Sequence, residues 1–473
     1  MSRDGTYRRK KPRQSTQNKG NLPKNAPPIH VKITHIGGRG DGVGTAQYTH
    51  NYQTKEHHVF VADTLPGEEV IAQPTHLSGQ GIQATLQELI TSASERKEPD
   101  CNASPACGGC QFQHMAQDSY QSWKIEQLQS ILAKGQIIPA SWRTPYFAAP
   151  YQRRRARLAY RRRQDDVIIG FRERASHQII YPEGCTILAP EIMRLVAKLR
   201  DDILHPLPNG MVGDIDITLC DNGCDVAIHS EASWPADVHA HLTQQAALCG
   251  DITRLCHITK GQEPILLFST QQPALSWQLP DEATQTSLTL HPAPASFLQA
   301  DGKAEALMAG DIFAAFASCD MILDLFSGSG ALSAALLCRT PAPRKICAYD
   351  SGKQALSAYN EIAHKTGRSM QLETSARNLF LAPLTQKELE GFDGVIIDPP
   401  RAGASAQMPA LAASHIPHIM MVSCNPHSFA KDAAILIKGG YICQWARAID
   451  QFALTAHCEV IAYFYKDVQG EDA

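Results

Sequence analysis

The sequence predicts an α/β chain in three folded parts: a small N-terminal β-barrel, a central α+β region and a C-terminal doubly wound, Rossmann-like sheet. Three observations carry this. From about residue 320, apolar strand-like runs alternate with helical ones, as in a largely parallel sheet. Between Ile29 and Leu89, five short β-like runs are separated by turn residues, as in a small antiparallel barrel. The 473 residues, 43% apolar and 19% charged, suffice for about three domains and exclude disorder across the whole chain.

Charge is local. The formal net charge is only −3, yet residues 1–24 carry eight Lys or Arg against Asp4 alone. A second run places seven arginines, from Arg153 to Arg163, within eleven positions. Residues 1–28 therefore read as a disordered basic tail and not as a secretory signal, because an apolar core is missing. No stretch reaches the length of a membrane span, and a cytoplasmic protein without membrane partners is expected.

Residues 29–92 form the expected barrel, of the oligonucleotide-binding kind, in the runs IHVKITHI, GGRGDGVGTA, HHVFVADTL, EEVIAQPTHL and GIQATLQELI. Residues 93–295 form the expected central domain. It opens on Cys101, Cys107 and Cys110, continues into an amphipathic helix near Ser119 to Ala133, and then into a hairpin containing the arginine run. Cys185 is the natural fourth partner of the three cysteines. Four thiolates suit tetrahedral zinc or an iron–sulfur cluster, and spacing does not choose between them. On the hairpin, Arg153, Arg155, Arg157 and Arg161 are placed to meet RNA phosphates, with Tyr151 and Tyr160 able to stack on bases. The bland alternative is a solvated strand face paired with Asp165 and Asp166.

Residues 296–473 form the last expected domain. MILDLF runs into the turn SGSG, where Gly328 and Gly330 let a ligand approach the backbone. Asp350 ends the next strand, 22 residues after Gly328, where an acid commonly receives ribose hydroxyls. Position 333 is Ser, so the dinucleotide fingerprint is incomplete, which favours S-adenosylmethionine over NAD. IIDPPRAG, beginning at Ile396, resembles the Asp-Pro-Pro-aromatic loop of amino-methyltransferases but carries Arg401 at the fourth position. Cys424, in SCNP, supplies another way to activate a target: a thiolate added to uracil C6 makes C5 nucleophilic. Glu459, in HCEVIAYF, is the candidate base that removes the C5 proton afterwards. A base attacked at C6 must leave its stack, so a flipped or single-stranded uridine is implied.

Taken together, DLFSGSG, IIDPPRAG, SCNP and HCEVIAYF resemble the RNA uracil-5 methyltransferase family. SFLQAD and ARNLF are similar to two further family segments, and CGGCQFQHM and RRRARLAY are similar to its iron–sulfur branch. Residues 29–90 resemble a TRAM barrel. The resemblance implies methylation by S-adenosylmethionine, with Gln299, Phe326, Gly328, Gly330, Asp350, Asn378 and Asp398 as cofactor contacts. It also implies a [4Fe-4S] cluster on Cys101, Cys107, Cys110 and Cys185, and 23S rRNA as substrate; a monomer is expected. A tRNA uracil, an amine methylated at the Asp-Pro-Pro loop, or a non-catalytic RNA-binding factor are the alternatives. The chain departs from the family pattern at Ala331, where a polar residue is usual, at Asp350, where Glu is common, and at Asp301, where Asn is often found.

Overall fold

The structure is a computed structural model. It describes residues 20–22, 26–50, 53–164, 166–174, 176–278 and 287–467. Most of the expected basic tail, and Asp165, lie outside the described residues. The chain divides into two compact units, one of residues up to 97 with 114–116, the other of residues 98–113 and those from 117 onward.

In the first unit the strands are β1 (Gly20–Asn21), β2 (Ile29–Ile36), β3 (Gly42–His50), β4 (Gln53–Val61), β5 (Glu69–Ser78) and β6 (Gly81–Thr91). β2 to β6 run in the order β5-β2-β3-β4-β6, and β5 pairs with β6 to close a five-stranded barrel. Alternation builds it: Ile29, Val31 and Ile33 point inward while His30, Lys32 and Thr34 face out. A bulge between Ile33 and His35 shifts the period by one, which returns Ile36 to the core. The expectation of disorder through residue 28 is corrected at its end. β1 pairs antiparallel with β5, and Leu22 is buried among the barrel residues.

The second unit begins with the cysteine segment and helix α1 (Gln117–Lys134). Two short strands follow, β7 (Ser141–Trp142) and β8 (Tyr146–Phe147). The central sheet contains β9 (Arg155–Arg162), β10 (Val167–Arg172), β11 (Ile179–Ile180), β12 (Val212–Cys220), β13 (Gly223–Ser230), β14 (Ile252–Thr259) and β15 (Ile265–Ser269). Its spatial order is β11-β10-β9-β12-β13-β14-β15. Helices α2 (Pro190–Lys198) and α3 (Ala236–Cys249) contribute Ile192, Leu195 and Leu242 to the core over that sheet. A small ribbon, β16 (Leu275–Gln278) with β17 (Ser287–Leu290), leads to α4 (Gly302–Ala315).

The last sheet follows from β18 (Met321–Leu325), α5 (Ala334–Leu337), β19 (Lys345–Asp350), α6 (Lys353–Lys365), β20 (Leu372–Ala376), β21 (Gly394–Ile397), α7 (Met408–Ala412), β22 (His418–Ser423), α8 (Pro426–Lys438), β23 (Ile442–Asp450) and β24 (Glu459–Tyr465). The strand order is β20-β19-β18-β21-β22-β24-β23, parallel except where β24 enters antiparallel. The chain reverses direction across the sheet at β18, with β19 on one side and β21 on the other, so the loops after these strands open into one crevice. β7 and β8 pair with β23, so strands from either side of residue 295 share this sheet. Among the described residues no helix is long and apolar enough to cross a membrane.

Candidate active site

The turn after β18 is tight because Phe326, Gly328 and Gly330 all take positive φ, 62°, 52° and 76°. At Gly330 a side chain is excluded outright, because an added Cβ would lie 2.5 Å from the Tyr359 ring. Asp350 organises the turn: it accepts Gly328 N–H at 3.0 Å on one oxygen and Gly352 N–H at 2.6 Å on the other. The Ser that breaks the fingerprint has its own task. The Ser333 hydroxyl donates to buried Asp324 and receives the Tyr359 hydroxyl at 2.7 Å, which ties the turn to α6. Burial pushes the Asp324 carboxyl up to about 7, with Asp398 and Asp350 adding to the rise and Ser333 opposing it.

The other predicted cofactor residues surround this turn in different ways. Phe326 packs against Phe380 with ring centroids 5.4 Å apart. Asn378 is exposed, and its side-chain oxygen receives Phe380 N–H at 3.0 Å and Leu381 N–H at 3.3 Å. Asp398 follows β21 and its N–H reaches Leu325 O at 3.3 Å. Asp301 caps α4 through Lys303 N–H at 2.8 Å and receives the Tyr146 hydroxyl at 2.7 Å, a structural use for this departure from the family pattern.

The antiparallel pairing of β22 with β24 assembles the reactive pair. Ser423 stands opposite Val460, so Cys424 and Glu459, 35 positions apart, meet one rung further on. Cys424 is half-buried, just before α8, whose N-terminal dipole favours a thiolate. Burial, then Glu459 and Asp398, raise its thiol to about 11, and the Arg401 guanidinium pulls the other way. Glu459 is buried, and burial together with Asp398 raises its carboxyl well above the usual range. Asp398 is raised as well, chiefly by burial.

Sequence reasoning missed two supports of this pair. The Gln451 amide donates to Glu459 and, at 2.6 Å, to Gln299 Oε1, while its own oxygen accepts Ala300 N–H at 2.8 Å. Next to it, Asp450 receives Lys124 Nζ at 2.8 Å and the Tyr120 hydroxyl at 2.6 Å. Lys124 also donates to His457 O. A signal was available. Lys124 sits on the stripe Tyr120, Trp123, Leu128 and Leu132 of α1, and a lysine on a buried face requires an anion.

The four cysteines come together elsewhere. Cys101, Cys107, Cys110 and Cys185 line one cavity together with Arg153 and Gln113. Burial, the largest cause, and neighbouring thiols raise Cys101 and Cys107, and Cys110 to about 12. Among the described residues no group of three or more His, Cys, Asp or Glu is placed to hold a metal ion.

The arginine expectation needs correction at two positions. Arg153 turns into the cysteine cavity, its Nε donating to Arg155 O at 2.9 Å. Arg155 donates to Leu298 O at 2.8 Å and lies over the Phe297 ring. Both guanidinium groups are thus engaged inside the protein, and burial lowers both their pKa values. Their neighbour Arg154 pairs with Glu305 at 2.9 Å and bonds Gln299 O, so this end of the run holds the segment before α4. Arg157 and Arg161 face outward on β9, Arg157 sharing Asp214 and Asp216.

A sheet of this order, with a glycine turn after β18 and an acid ending β19, has the crevice of a nucleotide-binding doubly wound fold. Comparison with known proteins narrows the class. The sequence profile of the tRNA (uracil-5-)-methyltransferase family matches residues 293–467. An uncharacterized RNA methyltransferase of Mesorhizobium japonicum is 30% identical, over 92% of this chain and 97% of its own length. The 23S rRNA (uracil(1939)-C(5))-methyltransferase RlmD of Pectobacterium atrosepticum is 29% identical, over 86% and 89%. The crystal structure of Pyrococcus abyssi tRNA (uracil-54, C5)-methyltransferase in complex with S-adenosyl-L-homocysteine shares the fold, with TM-score 0.66 at 19% identity over 92% and 99% of the two chains. The chain belongs to the RNA uracil-5 methyltransferase family.

Proposed function

We propose that this chain methylates C5 of a uridine in 23S rRNA through a covalent adduct between Cys424 and uracil C6. The observation that carries the mechanism is the meeting of Cys424 and Glu459 at the facing ends of β22 and β24, beside Asp398. The Cys424 thiolate adds to C6 of a flipped uracil, and the ring electrons move to C5. Gln299, Phe326, Gly328, Gly330, Asp350, Asn378 and Asp398 would hold S-adenosylmethionine, which when bound would supply an electrophilic methyl to that carbon, with S-adenosylhomocysteine as the leaving group. Glu459 then takes the proton from C5, the C5–C6 double bond re-forms and the thiolate leaves. Ribosomal RNA is favoured over tRNA by the RlmD relative, which aligns over most of both chains. Arg157 and Arg161 offer outward cations for phosphates, and the protein acts as a cytoplasmic monomer.

The same reading places a [4Fe-4S] cluster on Cys101, Cys107, Cys110 and Cys185. A single ion needs its sulfurs converged at about 2.3 Å from one point. Here the four cysteine thiols line one cavity, the donor set that such a cluster takes. Arg153, half-buried at the cavity wall, would offset the negative charge of four thiolates.

Mapping modified nucleotides in total RNA, with and without the protein, tests the function. Loss of one or more 5-methyluridines from 23S rRNA is expected, and a change confined to tRNA would overturn the rRNA assignment. For the cluster, anaerobically purified protein should be brown with a broad band near about 400 nm. Colourless protein carrying zinc would exclude it.

A further inference from the structure

We propose that Gln451 is a positioning residue for the base, its side-chain amide fixing Glu459 against Gln299 across the active site. The proposal rests on the reading of Glu459 as the group that removes the C5 proton. Each polar atom of the Gln451 amide is engaged. Its oxygen accepts Ala300 N–H at 2.8 Å, and its nitrogen donates to Gln299 Oε1 at 2.6 Å and to Glu459 Oε2. An amide NH₂ has two hydrogens, and these two acceptors use both. Gln451 is 2% exposed, Gln299 3% and Glu459 2%, so water does not substitute for the amide at this junction.

The arrangement has two consequences. The amide of Gln299 cannot turn over, because its oxygen is held by Gln451; its NH₂ is therefore presented on the side away from that bond. Among the described residues, the groups that bear on the Glu459 carboxylate are acids and an amide, with no cation among them. Asp398 and the Cys424 thiol bear on it from β21 and β22, and the Cys458 thiol precedes it in the chain. The Gln451 N–H is the donor that favours the ionised, proton-accepting form. Removing it favours the protonated acid, which cannot take the C5 proton, so the step that releases Cys424 slows while the earlier addition of the thiol is less affected.

The test uses the full-length protein with a uridine-containing RNA substrate and S-adenosylmethionine, in the variants Gln451→Met and Gln451→Glu. The Met variant keeps the length and loses the donor; the Glu variant adds a like charge. Expected for Met is a turnover about 10- to 100-fold lower, the range of a hydrogen bond to a charged group. A covalent RNA–protein adduct should accumulate on denaturing gels, and the acid limb of the pH–rate profile should move to higher pH. For Glu the limb should move further in the same direction. Adduct forms only in a folded site, so its accumulation cannot come from misfolded protein. If Met does not fold, the Glu variant, which keeps an oxygen for Ala300 N–H, carries the test. Wild-type adduct levels and an unmoved limb would overturn the role of Gln451. Failure of Glu459→Gln to trap any adduct would instead overturn the reading of Glu459, which separates the two outcomes.

Discussion

Cys424→Ser is expected to lower methylation of uracil by at least about three orders of magnitude while leaving the protein folded, because no other group can take over addition to C6. The substitution is nearly isosteric, and Cys424 is only half-buried at the edge of the crevice. A hydroxyl in the same place is a far weaker nucleophile, and its surroundings give it no general base free of other duties. Glu459 and Asp398 are themselves held towards their protonated forms by burial, with Asp398 adding to the rise at Glu459. Arg401 and the start of α8 oppose, without cancelling, the rise in the Cys424 thiol caused by burial and by its carboxylate neighbours. Glu459→Gln should behave differently from Cys424→Ser: methyl transfer proceeds, the C5 proton stays, and the RNA remains bonded to Cys424. Denaturing gels with labelled RNA distinguish the two, adduct for Glu459→Gln and none for Cys424→Ser. Turnover by Cys424→Ser within tenfold of the parent protein would sink the covalent mechanism.

The parts of this molecule that could be read from the sequence are those whose signal is local. Barrel strands alternate residue by residue, and the core strands of the last sheet are continuous apolar runs such as Gly394–Ile397. β23 was not anticipated, since Gln444 and Arg447 interrupt its apolar pattern; Arg447 is accommodated by Asp311 at 2.8 Å and by Thr144 O at 2.7 Å. The helix after the glycine turn begins only at Ala334, because the turn extends through Ser333 to reach Asp324. At the site, Cys424 and Glu459 were recognisable from their motifs. Gln451 was not, because its importance lies in three partners, two of them more than 150 positions away. The arginines show the same limit: the run reads as one basic patch, yet Arg153 and Arg155 turn inward while Arg157 and Arg161 do not. Which way a side chain faces is decided by the elements packed around it.

Lys124→Met is expected to cost about 3–5 kcal/mol of stability, the range for stripping one partner from a buried ion pair. The side chains of Lys124 and Asp450 are each 2% exposed, and their contact is 2.8 Å. Methionine would fill the space of the lysine stem but leave the Asp450 carboxylate with the Tyr120 hydroxyl as its remaining side-chain partner among these bonds. The loss has a location. Lys124 also holds His457 O, the Tyr120 hydroxyl receives Leu454 N–H at 2.8 Å, and Gln111 accepts Ala456 N–H at 2.7 Å, so the loop from Gln451 to Cys458 is pinned along its length. Hydrogen exchange should therefore rise first at Leu454 and His457, ahead of the β22–β24 ladder. The double variant Lys124→Met with Asp450→Leu should recover much of the loss, because it removes the buried charge along with its partner. Denaturant unfolding of the parent, both single variants and the double completes the cycle. A single-variant loss below about 1 kcal/mol, or a double variant as unstable as the two losses added, would mean that this pair does not hold the loop that leads into Glu459.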